Sequence, residues 1–179
     1  MRAAAWPVLI RVGCRLLVIM GCFLALMEPV RMAEASVAAG FLGLLGVKDV
    51  TVQLGTSIQV APAAHAPFRA VVTPSCSCLS GLLALGFVAG FLPGKPGRRR
   101  LPAVFVAMAA VVTGNVLRIA GSLAIGLVAG RASLVLFHDW VGSVFTFVYT
   151  LGGYLLMLYL LLPARAERSA SVQDLHRVA

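Results

Sequence analysis

The chain has 179 residues, 60% of them hydrophobic and only 12% charged, with a formal charge of +9. That is more apolar surface than a soluble domain of this size hides, and several runs reach the roughly 20 residues that cross about 30 Å of hydrocarbon. The positive charge gathers next to apolar runs, in "GKPGRRR" (94–100) and the tail 164–179. This placement sets membrane topology by the positive-inside rule, and it lacks the basic-aromatic interleaving of a nucleic-acid binder.

In chain order, the sequence predicts an all-α integral membrane fold with about four transmembrane helices in a compact bundle. The first span covers about 8–30 and ends at Glu28 and Pro29, with Arg2, Arg11 and Arg15 on the cytoplasmic side. A cleaved signal peptide ending at Ala35 competes with that reading, since "MAEAS" offers an A-x-A site. Residues 34–47 are apolar but short for a span and fit an interfacial helix. The β-branched, Gly- and Pro-containing stretch that follows fits an extended or hairpin segment, so 31–75 is expected in the periplasm between helices 1 and 2.

The second span is expected at 76–93, the cytoplasmic loop at 94–100 and the third span at 101–126. A connection "RASLVLFHD" leads to the fourth span at 140–162, and the tail is cytoplasmic. The result is one transmembrane domain, 1–163, in a bacterial cytoplasmic (inner) membrane, with both termini cytoplasmic and the reactive layer facing the periplasm.

Polar residues within these runs carry the chemistry. A charged side chain deep in an apolar helix costs at least ~2.5 kcal/mol, so Arg118 either snorkels to the interface or faces a partner inside the bundle. Asn115 lies one turn earlier on the same face. Cys76 and Arg118 each stand 17 residues from their expected inner boundaries, Pro93 and Leu101. Both therefore sit ~26 Å up, and His138 falls in the same outer layer. A thiol beside a cation or at a helix start becomes a nucleophilic thiolate. An imidazole relays the proton, and a guanidinium can stabilise an oxyanion. Cys14 and Cys22 are expected to be small hydrophobes, and His65 and His176 have no evident partner.

These residues carry a resemblance. "CSCLSGLLAL" (76–85), "NVLRIAGSL" (115–123) and "HDWVGSVF" (138–145) are similar, in order and side, to three motifs of the exosortase/archaeosortase family. Those motifs are a Cys-Ser-Gly-Leu stretch, Asn-x-x-Arg and His-x-x-x-Gly, and the likeness runs from about Val37 to Leu162.

The resemblance implies a membrane cysteine protease/transpeptidase with no cofactor or metal. Its partners would be membrane lipid and exported proteins bearing a C-terminal motif-helix-basic sorting tag, and no nucleic acid. By that resemblance Cys76 is the nucleophile, Arg118 and His138 are catalytic, Asn115 orients Arg118, and Gly142 permits a close approach. Cys78 stands where the family has glycine, and Gly81 permits an alternative register in which Cys78 is the nucleophile. This chain is shorter than many relatives, which carry additional spans before the core.

Two other readings are weighed against it. The first is a non-enzymatic transport or assembly subunit that uses Asn115 and Arg118 as interhelical contacts. The second is a haem or metal carrier, for which His138 lacks a second membrane histidine.

Overall fold

The computed structural model describes residues 6–53, 55–91 and 97–161; Arg2, the first part of the expected cytoplasmic loop (94–96) and the tail with His176 lie outside the described residues. The order is α1 (Trp6–Leu44), β1 (Val50–Val52), β2 (Ser57–Val60), β3 (Phe68–Val71), α2 (Leu79–Phe91), α3 (Gly97–Leu136) and α4 (Gly142–Leu161). A 3₁₀ turn, Pro74–Cys76, precedes α2, and a π-helical turn, Phe137–Val141, joins α3 to α4.

The expected break at Glu28 and Pro29 does not occur, and the separate interfacial helix is absent. α1 runs unbroken for 39 residues with Pro29 inside it. Proline costs a helix one hydrogen bond and some strain, and local tertiary anchors offset that here. Arg31 Nη1 donates to Glu28 at 2.8 Å, while its Nε donates to the Val72 carbonyl at 2.7 Å. One turn on, Ala35, Ala38, Ala39 and Leu42 are buried against the sheet and α3. At ~1.5 Å per residue α1 is about 58 Å long, well beyond the bilayer core.

The expected extended or hairpin segment is a three-stranded antiparallel meander, β1-β2-β3, so the chain is mostly rather than wholly helical. Its inner face, Ile58, Val60 and Val72, packs on α1 and on Ile119, Ala120 and Leu123 of α3.

The helical boundaries also shift. Among the described residues, two stretches are long and apolar enough to cross a membrane, Val12–Leu44 and Arg100–Leu161. α2 has 13 residues, about 20 Å, rather than the full span expected at 76–93. α3 continues past 126, and the connection to α4 is itself helical. It turns at Gly130, whose φ of 79° is a left-handed value open to glycine. His65 packs on this bend, 3.3 Å from the Val128 carbonyl.

α3 and α4 then lie antiparallel at very short range. A Cβ on Gly114 would stand 2.6 Å from Tyr149, and one on Gly153 2.6 Å from Val111. Small residues permit such approach where helices pack without a hydrophobic drive. Leu85, Ala107, Val111 and Met157 form a buried cluster between α2, α3 and α4. Exposed Leu17, Leu24, Phe147 and Leu155 face outward, as the lipid side of a membrane helix requires.

Candidate active site

The site lies where the sheet meets the bundle. β3 leads through Thr73 and Pro74 into the 3₁₀ turn, and Pro74 at its start suits a position with no N–H to satisfy. The turn buries Cys76. His138 arrives from the π-helical turn, with Nε2 3.1 Å from the Cys76 sulfur. Asp139 Oδ1 lies 3.2 Å from its Nδ1, which favours the tautomer whose Nε2 lone pair faces the thiol. The Asp139 carboxylate is 63% exposed, so this orienting contact is a weak one.

Arg118 comes from mid-α3 and is buried. Its Nη2 is 3.3 Å from His138 Nε2, and its Nη1 donates to the Cys76 carbonyl at 3.4 Å. The guanidinium fits there because residue 142 is glycine: a Cβ at Gly142 would stand 2.9 Å from Arg118 Nε. Thr73 Oγ1 lies 2.9 Å from the Cys76 sulfur, and Ser75 Oγ 2.8 Å from Thr73 Oγ1. Two hydroxyls can thus donate in series toward a thiolate. Burial opposes that thiolate, but the hydrogen bonds from His138 and Thr73 and the charge on His138 outweigh it, drawing Cys76 from 9.0 to about 7.

The expected cause was different. α2 starts at Leu79, beyond Cys76, so its N-terminus does not activate the thiol. Cys78 lies nearer that helix start, yet its thiol is pushed upward by burial and by Glu34. The two cysteines occupy opposite electrostatic environments two residues apart, and all four cysteines are free.

A family model for the transmembrane exosortases matches residues 1–162. The chain belongs to the transmembrane exosortase family. No curated protein and no solved structure matches it. Family membership and the apolar helices make this exosortase-family chain a membrane protein.

Glu34 was missed in the sequence. It is buried, and its Oε1 accepts from the Cys78 N–H at 2.9 Å and from Asn115 Nδ2 at 3.0 Å. Asn115 in turn accepts from the Tyr149 hydroxyl at 3.0 Å. The amide of Asn115 therefore links α1 to α3 and α4. The available signal was a carboxylate followed by "ASVAAGFLGLLG", an acid one turn from an apolar run. A cavity of about 320 Å³ opens beside Cys76 and His138, walled by β3, Ile119, Leu123 and Leu134.

Proposed function

We propose that the chain is a membrane cysteine protease/transpeptidase that cleaves C-terminal sorting tags of exported proteins through a thioacyl intermediate. The observation that carries this reading is the 3.1 Å contact between Cys76 Sγ and His138 Nε2, with Arg118 beside both. In this mechanism His138 takes the thiol proton and the Cys76 sulfur attacks the scissile carbonyl carbon. The carbon becomes tetrahedral and its oxygen carries the charge, which Arg118 stabilises. The C–N bond then breaks, the leaving amine takes the proton from His138, and the acyl group remains on sulfur as a thioester. Water or an acceptor amine attacks that thioester, returns a proton through His138, and frees the thiol.

Cys76 rather than Cys78 is assigned as nucleophile, since the Cys76 sulfur contacts a base and Cys78 sits by a carboxylate. The basic loop 94–100 and tail support cytoplasmic termini in the inner membrane, with the site on the periplasmic side. The domain is taken as 1–163. The substrates would be exported proteins ending in a motif, a membrane helix and a basic cluster. Asn115, bonded between helices, fits the non-enzymatic alternative equally well, but the sulfur-imidazole pair has no use in a purely structural subunit.

The test co-expresses the chain with a tagged exported protein from the same genome. The wild type should release the tag and yield a Cys76 acyl adduct by mass spectrometry, and Cys76→Ala should do neither while still inserting in the membrane. Full processing by Cys76→Ala would reject the reading.

A further inference from the structure

Among the described residues β3 is an edge strand: the sheet order β1-β2-β3 leaves one of its sides without a strand. Along an antiparallel ladder, alternate residues direct their N–H and C=O to the same neighbour. The Val72 N–H donates to the Thr56 carbonyl at 3.0 Å, and the register sets Ala70 opposite Ile58 and Phe68 opposite Val60. Phe68, Ala70 and Val72 thus direct their backbone groups to β2, and Arg69 and Val71 turn theirs outward. At the other edge, the Gln53 N–H donates to the Ser57 carbonyl at 2.9 Å, and the same alternation turns Val50 and Val52 outward from β1.

The two edges have different surroundings. Val71 is 50% exposed, and β3 lines the cavity of about 320 Å³ that also holds Cys76 and His138. From Val71 the chain reaches the Cys76 sulfur in one short turn, Thr73 to Cys76. An open row of strand donors and acceptors therefore ends at the nucleophile, with apolar walls from Ile119, Leu123 and Leu134.

We propose that β3 is the substrate's docking strand: an extended polypeptide segment pairs with the outward N–H and C=O groups of Arg69 and Val71, which lays a carbonyl against the Cys76 sulfur. This rests on the protease reading above. The occupant follows from the chemistry of the edge. Donors and acceptors repeating every two residues, about 6.6–6.8 Å, match the main chain of another extended strand. A helix cannot answer them, because its own N–H and C=O groups are spent internally. The segment around the cleaved bond is accordingly non-helical when bound. Main-chain pairing supplies affinity, and alternate side chains entering the cavity supply selectivity.

The experiment uses the full chain and a synthetic peptide spanning the junction that the wild type cleaves. Val71→Pro deletes one outward N–H and is tolerable in the fold, because edge strands accept proline where the N–H faces away from the sheet. KM should rise roughly tenfold, the worth of a strong hydrogen bond left unmade, with kcat changed less. Val52→Pro, which deletes an outward N–H on the far edge, should leave KM near wild type. Peptides carrying one backbone N-methyl group each should bind the unaltered wild-type chain weakly at every second position.

Wild-type KM in a folded Val71→Pro chain, or N-methyl effects without a period of two, would overturn the docking strand and leave the protease reading standing. Full cleavage by Cys76→Ala would instead overturn that reading and the docking strand with it.

Discussion

Gly142→Ala tests whether Arg118 matters by where it sits. The added Cβ would stand 2.9 Å from Arg118 Nε, 3.5 Å from Nη2 and 3.6 Å from Cζ. Ordinary contact begins near 3.5 Å, so the guanidinium must give way by about 0.5–1 Å. Its bonds to His138 Nε2 and the Cys76 carbonyl are already 3.3 and 3.4 Å, and that shift takes them out of hydrogen-bond range. A displacement of this size in an active site costs on the order of 100-fold in rate, or about 2.7 kcal/mol of transition-state stabilisation. Overpacking would lower stability by about 1–3 kcal/mol. The assay is tag release at saturating substrate, read beside the thermal midpoint in detergent. Gly152→Ala is the control, since a Cβ there meets nothing within 4 Å, and it should leave kcat unchanged. Wild-type kcat in folded Gly142→Ala would refute the positioning argument for Arg118.

Three further outcomes follow from the same contacts. In a background lacking Cys14 and Cys22, alkylation of Cys76 should rise about tenfold per pH unit below neutrality and level off above about 7. His138→Ala removes the main opposition to burial and should move that midpoint up, while Cys78 stays unreactive at pH 8; a midpoint that ignores His138 would contradict the pairing. Arg118→Lys should lower kcat at least tenfold, because one ammonium cannot hold His138 and the Cys76 carbonyl with two separate nitrogens; unchanged tag release would reduce Arg118 to a generic charge. Glu34→Ala strands the Cys78 N–H and the Asn115 amide, so it should cost about 2–5 kcal/mol of stability, and Glu34→Gln, which keeps one oxygen, should cost less. Equal unfolding midpoints for both variants and the wild type would show the link to be idle.

The convergence of Cys76, Arg118 and His138 was legible because depth along a membrane helix is a count of residues, and three reactive types matched in depth. Contacts set by backbone irregularity were not legible. Nothing in the local pattern announces that α1 continues through Pro29, since the compensation comes from Val72 and the buried alanines, distant in sequence. The strand count was also ambiguous: "VTVQLGTSIQV" has partial alternation, and a third strand at Phe68–Val71 follows a Pro-rich connection whose turn is not encoded by a standard dipeptide. The third span was expected to end at 126, and Gly130, by its left-handed φ, instead turns the chain into helical residues that deliver His138.

The deepest difference concerns how the thiol is activated. Proximity to a helix start favours the cysteine nearer that start, which is Cys78. In the structure the two cysteines differ by partner rather than by dipole. Glu34 accepts the Cys78 N–H and lends its negative charge to that side of the turn, so a thiolate there would face a carboxylate in a dry pocket. Two residues earlier, the chain in its 3₁₀ turn presents Cys76 to Thr73, His138 and Arg118, which are all donors or bases. One buried carboxylate thus does two things: it fixes the backbone that follows Cys76 and disfavours a thiolate at Cys78. Restoring glycine by Cys78→Gly should therefore leave tag release intact where Cys76→Ala abolishes it. The reverse pattern would show that partner chemistry does not choose the sulfur.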